Sequence, residues 1–223
     1  MAKVENKVTE KVTNKKEENL ENTSLVKLDD FKSVDEMMKF AKHLIDSKLL
    51  PIAVNTPEKV VTMIQLGKEL GVGSVSALTN IHVIDGRPTL GVHLIGALIR
   101  KAGIKYSLIE DFKSITDKDG KSTGNRKTTI RFYEKWNGKV IETDFSFTTQ
   151  EAEAQGLLTK SNWKKLPKIM LRNRTLALGG RFVAPEALMG LLETSEALDL
   201  TNKEYSIVED GTVTILEDSK GVE

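Results

Sequence analysis

Seven basic residues and no acidic residue occupy the stretch from Lys160 to Arg181, although the whole chain has a net charge of only +1. Lysine and arginine bind phosphate groups because they neutralise the charge of a nucleic-acid backbone. Trp163 adds an indole face on which a nucleobase can stack. These residue types therefore predict a surface that binds a sugar-phosphate backbone. The basic residues are Lys160, Lys164, Lys165, Lys168, Arg172, Arg174 and Arg181.

A helix must position these side chains. Pro167 suits the first position of a helix, and the apolar spacing predicts a helix that continues to about Ala184. The residues expected on its buried side are Ile169, Leu176, Ala177 and Gly180. The two basic rows expected on its other side are Lys168 with Arg172, and Arg174 with Arg181. An ordinary amphipathic helix with a solvated basic face would show the same spacing, but the lack of acidic residues in this stretch favours a binding function.

Other basic residues could extend the surface. Arg126 and Lys127 belong to a basic segment that contains a polar loop, and Arg87 lies at the tip of a predicted hairpin. Arg100 and Lys101 close a predicted helix, where cations also complement the helix dipole, so capping explains them at least as well.

Composition restricts the class of protein. The chain has 223 residues, enough for one domain of ordinary size, and it has no cysteine. A disulfide framework and a cysteine-ligated zinc site are therefore excluded, in agreement with a reducing cytoplasm. No apolar run approaches the roughly 20 residues that a membrane span needs, and the charged N-terminus does not resemble a secretory signal.

Motifs for catalysis are absent from the sequence. The glycines at 120 and 124 are not followed by the Lys-Ser/Thr of a phosphate-binding loop, so ATP hydrolysis is not expected. The three histidines show no carboxylate pattern that would make a metal site, and no serine lies in a nucleophile-elbow sequence. We therefore expect a binding protein with no catalytic residue, metal or cofactor.

The order of predicted elements indicates an α+β fold, in which antiparallel hairpins pack with helices rather than alternate with them as βαβ units. Ser33 and Thr56 are candidate helix caps, and Asn137-Gly138 is the strongest hairpin signal. The predicted elements are helices over 33–48, 56–71, 92–102, 148–156 and 186–192, hairpins over 81–90 and 128–147, a strand over 106–112 and a polar loop over 116–126.

Three regions are expected: a flexible segment over 1–30, a core over 31–198, and a flexible acidic tail over 199–223. From Glu196 to Glu223 there are eight acidic residues and two lysines. A weak hairpin at Asp210-Gly211 is the alternative for the tail. We also hypothesise that this tail competes with a nucleic acid or docks a partner.

Two segments resemble the RecT/Redβ-type single-strand annealing proteins of phages over about residues 35–195. The first runs from Gln65 to Gly71 and continues through the segment 77–84 to Pro88 and Gly91. The second segment runs from Asn162 to Arg181 and contains Trp163, the pair Pro167-Lys168 and the sequence Met170-Leu-Arg-Asn-Arg174. The order and spacing of these residues make it the more specific of the two segments. Thr79 departs from the pattern, because some members of the family have a lysine near this position, after the turn that follows Gly71.

The resemblance implies a cytoplasmic, ATP-independent protein that coats single-stranded DNA and anneals complementary strands into nascent duplex. It implies a homo-oligomeric ring or helical filament, a 5′–3′ exonuclease partner and contact with a host single-strand binding protein, without a membrane. The implied nucleic-acid-binding residues are Trp163, Lys168, Arg172, Arg174 and Arg181, to which the charge pattern adds Lys164, Lys165, Arg87, Arg126 and Lys127.

Two other functions remain open from the sequence. The chain could be a nucleic-acid-processing enzyme whose catalytic residues form no recognisable motif. It could also be a phage interaction protein that does not bind DNA and whose basic helix binds an acidic partner.

Overall fold

The structure is a computed structural model that describes residues 31, 33–51, 54–201 and 203–215. The predicted N-terminal segment, 1–30, lies outside the described residues, as do positions 216–223 of the predicted acidic tail. The described part is a mixed α+β fold with antiparallel sheets, which confirms the predicted class.

Three helices open the described chain: α1 (Val34–Asp46), α2 (Pro57–Glu69) and α3 (Ser74–Asn80). The predicted caps are confirmed, because the side chains of Ser33 and Thr56 accept hydrogen bonds from the backbone three residues on. The inner side of α2 is buried and consists of Val60, Met63, Ile64 and Gly67, followed by the buried Leu70. A Cβ at Gly67 would lie 2.5 Å from Ala77 Cβ, so glycine permits α3 to pack closely on α2.

The first sheet contains the predicted hairpin of β1 (Ile81–Ile84) and β2 (Arg87–Leu90). Ile84 pairs with Arg87 across the Asp85-Gly86 turn. A short strand that was not predicted, β6 (Leu192–Glu193), adds to β2 in parallel. The predicted helix after this hairpin is α4 (Val92–Lys101).

The second sheet is antiparallel, with β4 (Ser122–Trp136) between β3 (Lys105–Thr116) and β5 (Lys139–Thr148). The hairpin at Asn137-Gly138 is confirmed, since Trp136 pairs with Lys139. The polar loop predicted over 116–126 is wrong in extent, because only 117–121 separate the two strands. Asp117 Oδ1 accepts hydrogen bonds from the backbone of Asp119 and Lys121, which closes a tighter turn than composition suggests. Register shifts in β3 interrupt the alternation of side chains and hide its length in the sequence.

A series of helices then follows: α5 (Thr149–Ala154), α6 (Ser161–Lys165), α7 (Pro167–Val183), α8 (Pro185–Leu188) and α9 (Thr194–Asp199). The capping box of Thr148 and Glu151 starts α5, as predicted. The helix predicted over 186–192 is shorter, because α8 ends at Leu188 and the next residue, Met189, adopts a positive φ of 51°.

The chain beyond residue 199 departs from the prediction of a flexible tail. Strands β7 (Tyr205–Ile207) and β8 (Val213–Ile215) form the hairpin that was considered the lesser alternative. Tyr205, Ile207 and Val213 are buried in an apolar cluster around Trp163, so residues 203–215 belong to the core. In the two strands the exposed residues Ser206 and Thr214 alternate with apolar ones, and the apolar residues pack against the core.

Helix α7 lies at the centre of the molecule. It contributes Leu176 and Ala177 to one apolar cluster and Ile169, Met170 and Leu171 to the other. Its sides are covered by the β3–β5 sheet, by α4 and by the C-terminal segment. In the part of the chain that the structure describes, no helix is both long and apolar enough to cross a lipid bilayer.

Candidate functional site

Helix α7 buries more of its surface than the sequence predicts. It begins at Pro167 as expected, and the predicted inner residues Ile169, Leu176, Ala177 and Gly180 are buried. Arg174, which was expected on the basic side, is buried too, as are its neighbours Asn173 and Thr175. A cylinder with one buried half and one charged half is therefore wrong, because three different parts of the fold pack around this helix.

Arg174 is an internal residue rather than an exposed cation. Its guanidinium Nη2 lies 2.6 Å from Asp199 Oδ2, and Nη1 lies 3.9 Å from Glu196 Oε1. It also lies 5.9 Å from the ring centroid of Phe147 and 5.8 Å from that of Trp163. The predicted phosphate contact is contradicted, since only 6% of Arg174 is exposed.

Trp163 and Arg181 each contact one of the two carboxylates that Arg174 contacts. The Trp163 indole is buried and donates a 3.0 Å hydrogen bond to Asp199 Oδ2, so its predicted stacking with a base is contradicted. Arg181 makes bidentate contacts of 2.6 and 2.9 Å with Glu196. Both arginines of the predicted second basic row are thus paired with carboxylates from α9.

Two further groups complete this network. Tyr205 donates a 2.9 Å hydrogen bond to Asp199, and burial together with the Asp199 charge raises the pKa of the tyrosine. Glu193 is fully buried, and burial raises the pKa of its carboxyl. Ser195 and the Glu196 amide donate to Glu193 Oε2, while Oε1 has no partner among the described residues. We name these residues, Trp163, Arg174, Arg181, Glu193, Glu196, Asp199 and Tyr205, the internal network.

The first basic row has a different environment. Lys168 Nζ lies 2.8 Å from Asp111 Oδ2, and Arg172 Nε lies 2.7 Å from Asp111 Oδ1. The side chains of Lys168 and Arg172 remain 49% and 37% exposed. Arg172, and then Lys168, lower the pKa of Asp111. Two cations share one carboxylate here, so this end of α7 keeps a positive charge at the surface.

Arg172 lines a groove between α4, β3 and α7. Two adjoining cavities of about 380 Å³ each share Val92, Arg100, Tyr106, Asn173 and Leu176 as lining residues. Arg172 lines the first cavity, and His93 and Asp210 line the second. We name these two cavities together the α4–α7 groove.

An arginine stacked on an aromatic ring forms one wall of this groove. The Arg100 guanidinium carbon lies 4.7 Å from the ring centroid of Tyr106. Gly96 makes this arrangement possible, because a Cβ there would lie 2.5 Å from the Tyr106 hydroxyl. Among the described residues, no carboxylate forms an ion pair with Arg100. The groove therefore combines cations, an aromatic ring and an apolar floor.

The remaining basic residues do not join the groove. Lys164 and Lys165 are exposed on α6, and Lys165 lines a separate cavity of about 520 Å³ with Lys160 and Lys203. Arg87 is exposed and lines a third cavity, of about 470 Å³, beside β6. These cavities share no lining residue with the groove.

Arg126 and Lys127 lie on opposite faces of β4. Arg126 stands over the Phe112 ring at 5.9 Å and donates a hydrogen bond to Ser114. Lys127 forms a 2.6 Å ion pair with Glu110, which Thr129 also contacts. Neighbouring residues of a strand point to opposite sides, so the two cations do not form one basic surface.

Sequence reasoning missed the main residues of the groove and the partners of the cations. Tyr106 and Asn173 carried no motif, and Asp111, Glu196 and Asp199 lie far from the basic stretch in sequence. One local signal existed: Gly96 lies inside a helix, where glycine costs about 1 kcal/mol relative to alanine. A glycine at such a position is consistent with close packing against that face of the helix.

Comparisons of the chain with models of known protein families, with curated proteins and with solved structures found no match.

Proposed function

We propose that the chain binds single-stranded DNA without ATP and anneals complementary strands, as an oligomer in the cytoplasm that serves phage-type homologous recombination. The observation that carries this proposal is the α4–α7 groove, in which Arg100 stacks on Tyr106 and Arg172 lies close by. Single-strand binding combines cations for the phosphates with aromatic faces for the bases. The groove contains both.

Charge in and beside the groove supports an anionic ligand. The cations Arg100, Arg172 and Lys168 exceed the carboxylates Asp111 and Asp210 by one. The ion pairs of Asp111 are partly exposed, so a phosphate can replace this carboxylate at modest cost. Phosphate contacts fix a strand without consuming its base edges, which leaves the bases free to pair with a second strand.

A surface away from the groove supports self-association. Strand β5 is an edge of its sheet, and Trp136, Val140 and Ile141 are exposed near its start. Phe182 on α7 is 70% exposed and lies 5.1 Å from Phe145 between ring centroids. Exposed apolar side chains beside a free strand edge are typical of surfaces that bind another protein. A 5′–3′ exonuclease and a host single-strand binding protein are further partners under this proposal.

The proposal is tested by annealing two complementary oligonucleotides without ATP, with a non-complementary pair as control and with the mass of the DNA-bound particles recorded. We expect complement-dependent acceleration in large assemblies. Binding without faster annealing would mean that the protein coats single strands but does not anneal them. Turnover of labelled DNA with magnesium would indicate a processing enzyme, and no binding at low salt would favour an acidic protein partner.

The groove is tested through the salt dependence of binding. Arg172→Ala is expected to lower the slope of log K against log[salt] by about 0.7, the value for one lost phosphate contact on a single strand. Arg131→Ala is the matched control, because Arg131 pairs with Asp144 and Glu142 on the opposite face of the sheet. An unchanged slope in Arg172→Ala would contradict the proposal that DNA binds in the groove.

A further inference from the structure

A cavity of about 520 Å³ lies where helix α6 contacts strand β7, and it shares no lining residue with the α4–α7 groove. The charged residues of its lining are Lys160, Lys165, Lys203 and Glu204. We name it the lysine cavity. Because its lysines outnumber its carboxylates by two, it attracts an anionic ligand.

The lysines of this cavity are only weakly paired. Among the described residues, no carboxylate forms an ion pair with Lys165. Lys203 lies 2.6 Å from Asp85, but the two side chains are 44% and 55% exposed. Lys160 lies 3.9 Å from the Asp199 carboxylate and donates a hydrogen bond to the carbonyl oxygen of that residue. Exposed ion pairs contribute little, so an additional anion can bind these lysines at modest cost.

The lysine cavity offers charge but no face on which a base can stack. Tyr205 is the one aromatic residue among the described lining residues, and it is buried, with its hydroxyl group donating to Asp199. The α4–α7 groove differs, because the Tyr106 ring and the Arg100 guanidinium form one of its walls. The lysine cavity is therefore suited to carboxylates or phosphates rather than to bases.

The described chain ends at the edge of this cavity. Ile215 is the last residue of β8, and it pairs with Tyr205, which lines the cavity. Glu217 and Asp218, which lie outside the described residues, follow within three positions of Ile215. A chain spans at most about 3.6 Å per residue, so both carboxylates are tethered within reach of the lysines.

The tether favours this segment over a free anion. A ligand linked to its site by a few residues has an effective concentration in the millimolar range, so even a weak contact is populated. The charge of the segment is also complementary to that of the cavity. Over 216–223 the sequence contains Glu217, Asp218 and Glu223 against the single Lys220.

We propose that the acidic segment 216–223 binds in the lysine cavity through Glu217 and Asp218, and that it thereby competes with a nucleic acid for the lysines. The competition rests on the proposed function, whereas the docking of the segment does not. The two parts are therefore tested by separate measurements on the full chain.

The docking is tested by crosslinking with a carbodiimide, which joins an amine and a carboxylate in contact as an amide with loss of water. Mass spectrometry is expected to find Glu217 or Asp218 linked to a lysine of the cavity. The 2.6 Å pair of Lys127 and Glu110 is the internal control for the reaction. A mixture of ¹⁵N-labelled and unlabelled chains distinguishes links within one chain from links between chains.

The competition is tested by neutralising the segment. Glu217→Gln/Asp218→Gln is expected to bind a fluorescent oligo(dT) about two- to fivefold more tightly than the parent at low salt, the factor that one exposed ion pair gives. The gain should shrink as the salt concentration rises, because exposed charges are screened. It should also be smaller in a Lys165→Gln background, in which the cavity has one cation fewer.

Glu58→Gln/Glu69→Gln is the matched control. It removes two exposed carboxylates from α2, whose residues line neither the lysine cavity nor the α4–α7 groove. Its net charge changes as much as that of Glu217→Gln/Asp218→Gln. We expect its affinity for oligo(dT) to stay close to that of the parent.

Each other outcome contradicts a stated part of the proposal. A reaction that links Lys127 with Glu110, but neither Glu217 nor Asp218 with the cavity, would overturn the docking, as would links that form only between chains. An equal gain in the α2 variant, or no gain in either variant, would overturn the competition and leave the proposed function standing. Failure of every variant to bind oligo(dT) at low salt would overturn the proposed function, and the crosslinks would then decide the docking alone.

Discussion

Arg172 and Arg174 stand two residues apart on α7 and have opposite environments. A helix turns by about 100° per residue, so the two side chains leave the helix on nearly opposite sides. The Arg172 side chain is 37% exposed and shares Asp111 with Lys168 at the groove. The Arg174 side chain is 7% exposed and pairs with Asp199, whose side chain is 1% exposed.

The difference shows that one residue type has two different environments on a single helix. A buried guanidinium has lost its hydration and depends on its carboxylates, so it holds the chain in one arrangement. An exposed ion pair contributes little to stability and is screened by solvent. Arg172 can therefore exchange its carboxylate for a phosphate, whereas Arg174 cannot without disrupting the fold.

The largest expected effect is on stability, from Arg174→Ala. This substitution leaves the carboxylates of Asp199 and Glu196 buried with one cation fewer, and breaking a buried ion pair typically costs about 3–5 kcal/mol. Denaturant unfolding of Arg174→Ala and Arg172→Ala should show this loss for the first and less than about 1 kcal/mol for the second. Similar losses for both variants would contradict the comparison.

Much of the fold was predictable because its signals are local. Ser33, Thr56 and Thr148 start helices through contacts with residues three positions on, and Asn137-Gly138 determines its hairpin by backbone geometry alone. The apolar positions of α7 were also correct. Each of these signals depends on a few neighbouring residues, which a sequence displays directly.

The burial and ion pairing of the basic residues were not predictable, because the carboxylates that pair with them come from distant positions in the sequence. Asp111 and Arg172 are 61 residues apart, and Asp199 and Arg174 are 25 apart. The lack of acidic residues within the basic stretch therefore gave no information about the ion pairs that its cations form in the folded chain. The acidic C-terminal segment misled in the same way, since its charge obscured the alternating apolar residues Tyr205, Ile207, Val213 and Ile215.

The second expected effect is on binding, from Gly96→Ala. The new Cβ would lie 2.5 Å from the Tyr106 hydroxyl, which must move and take the Arg100 stack with it. Because stacking of a base on an aromatic ring contributes roughly 1–3 kcal/mol, we expect single-strand affinity to fall about tenfold. Titration with a fluorescent oligonucleotide measures this change.

A second substitution should restore that affinity. In Gly96→Ala/Tyr106→Phe the hydroxyl is gone, and the next nearest ring atom, Cζ, lies 3.5 Å from the new Cβ, an ordinary contact. The double variant should therefore bind more tightly than Gly96→Ala alone. If it binds as weakly, the position of the Tyr106 ring does not control the groove.

The smallest expected effect comes from Asp111→Asn, which separates stability from binding on the exposed side. Arg172 and Lys168 lower the pKa of Asp111 in the folded chain, so the folded state binds this proton less tightly than the unfolded state. Its contribution to stability is present above the unfolded pKa and is lost as the pH falls through the folded pKa. Asp111→Asn should therefore unfold more easily than the parent at neutral pH, by at most about 1 kcal/mol, and equally at strongly acidic pH.

The same substitution should strengthen binding, because it leaves Lys168 and Arg172 free for phosphates. Asp144→Asn removes an equal charge, from the ion pair with Arg131 on the opposite face of the sheet, where the pKa of Asp144 is likewise lowered by its arginine. Salt titrations of both variants with one oligonucleotide distinguish a contact from a change in total charge. A steeper salt dependence in Asp111→Asn alone would mean that Asp111 holds the place of a phosphate in the free protein. An equal change in both variants would mean that only net charge matters, and it would contradict a phosphate contact in place of Asp111.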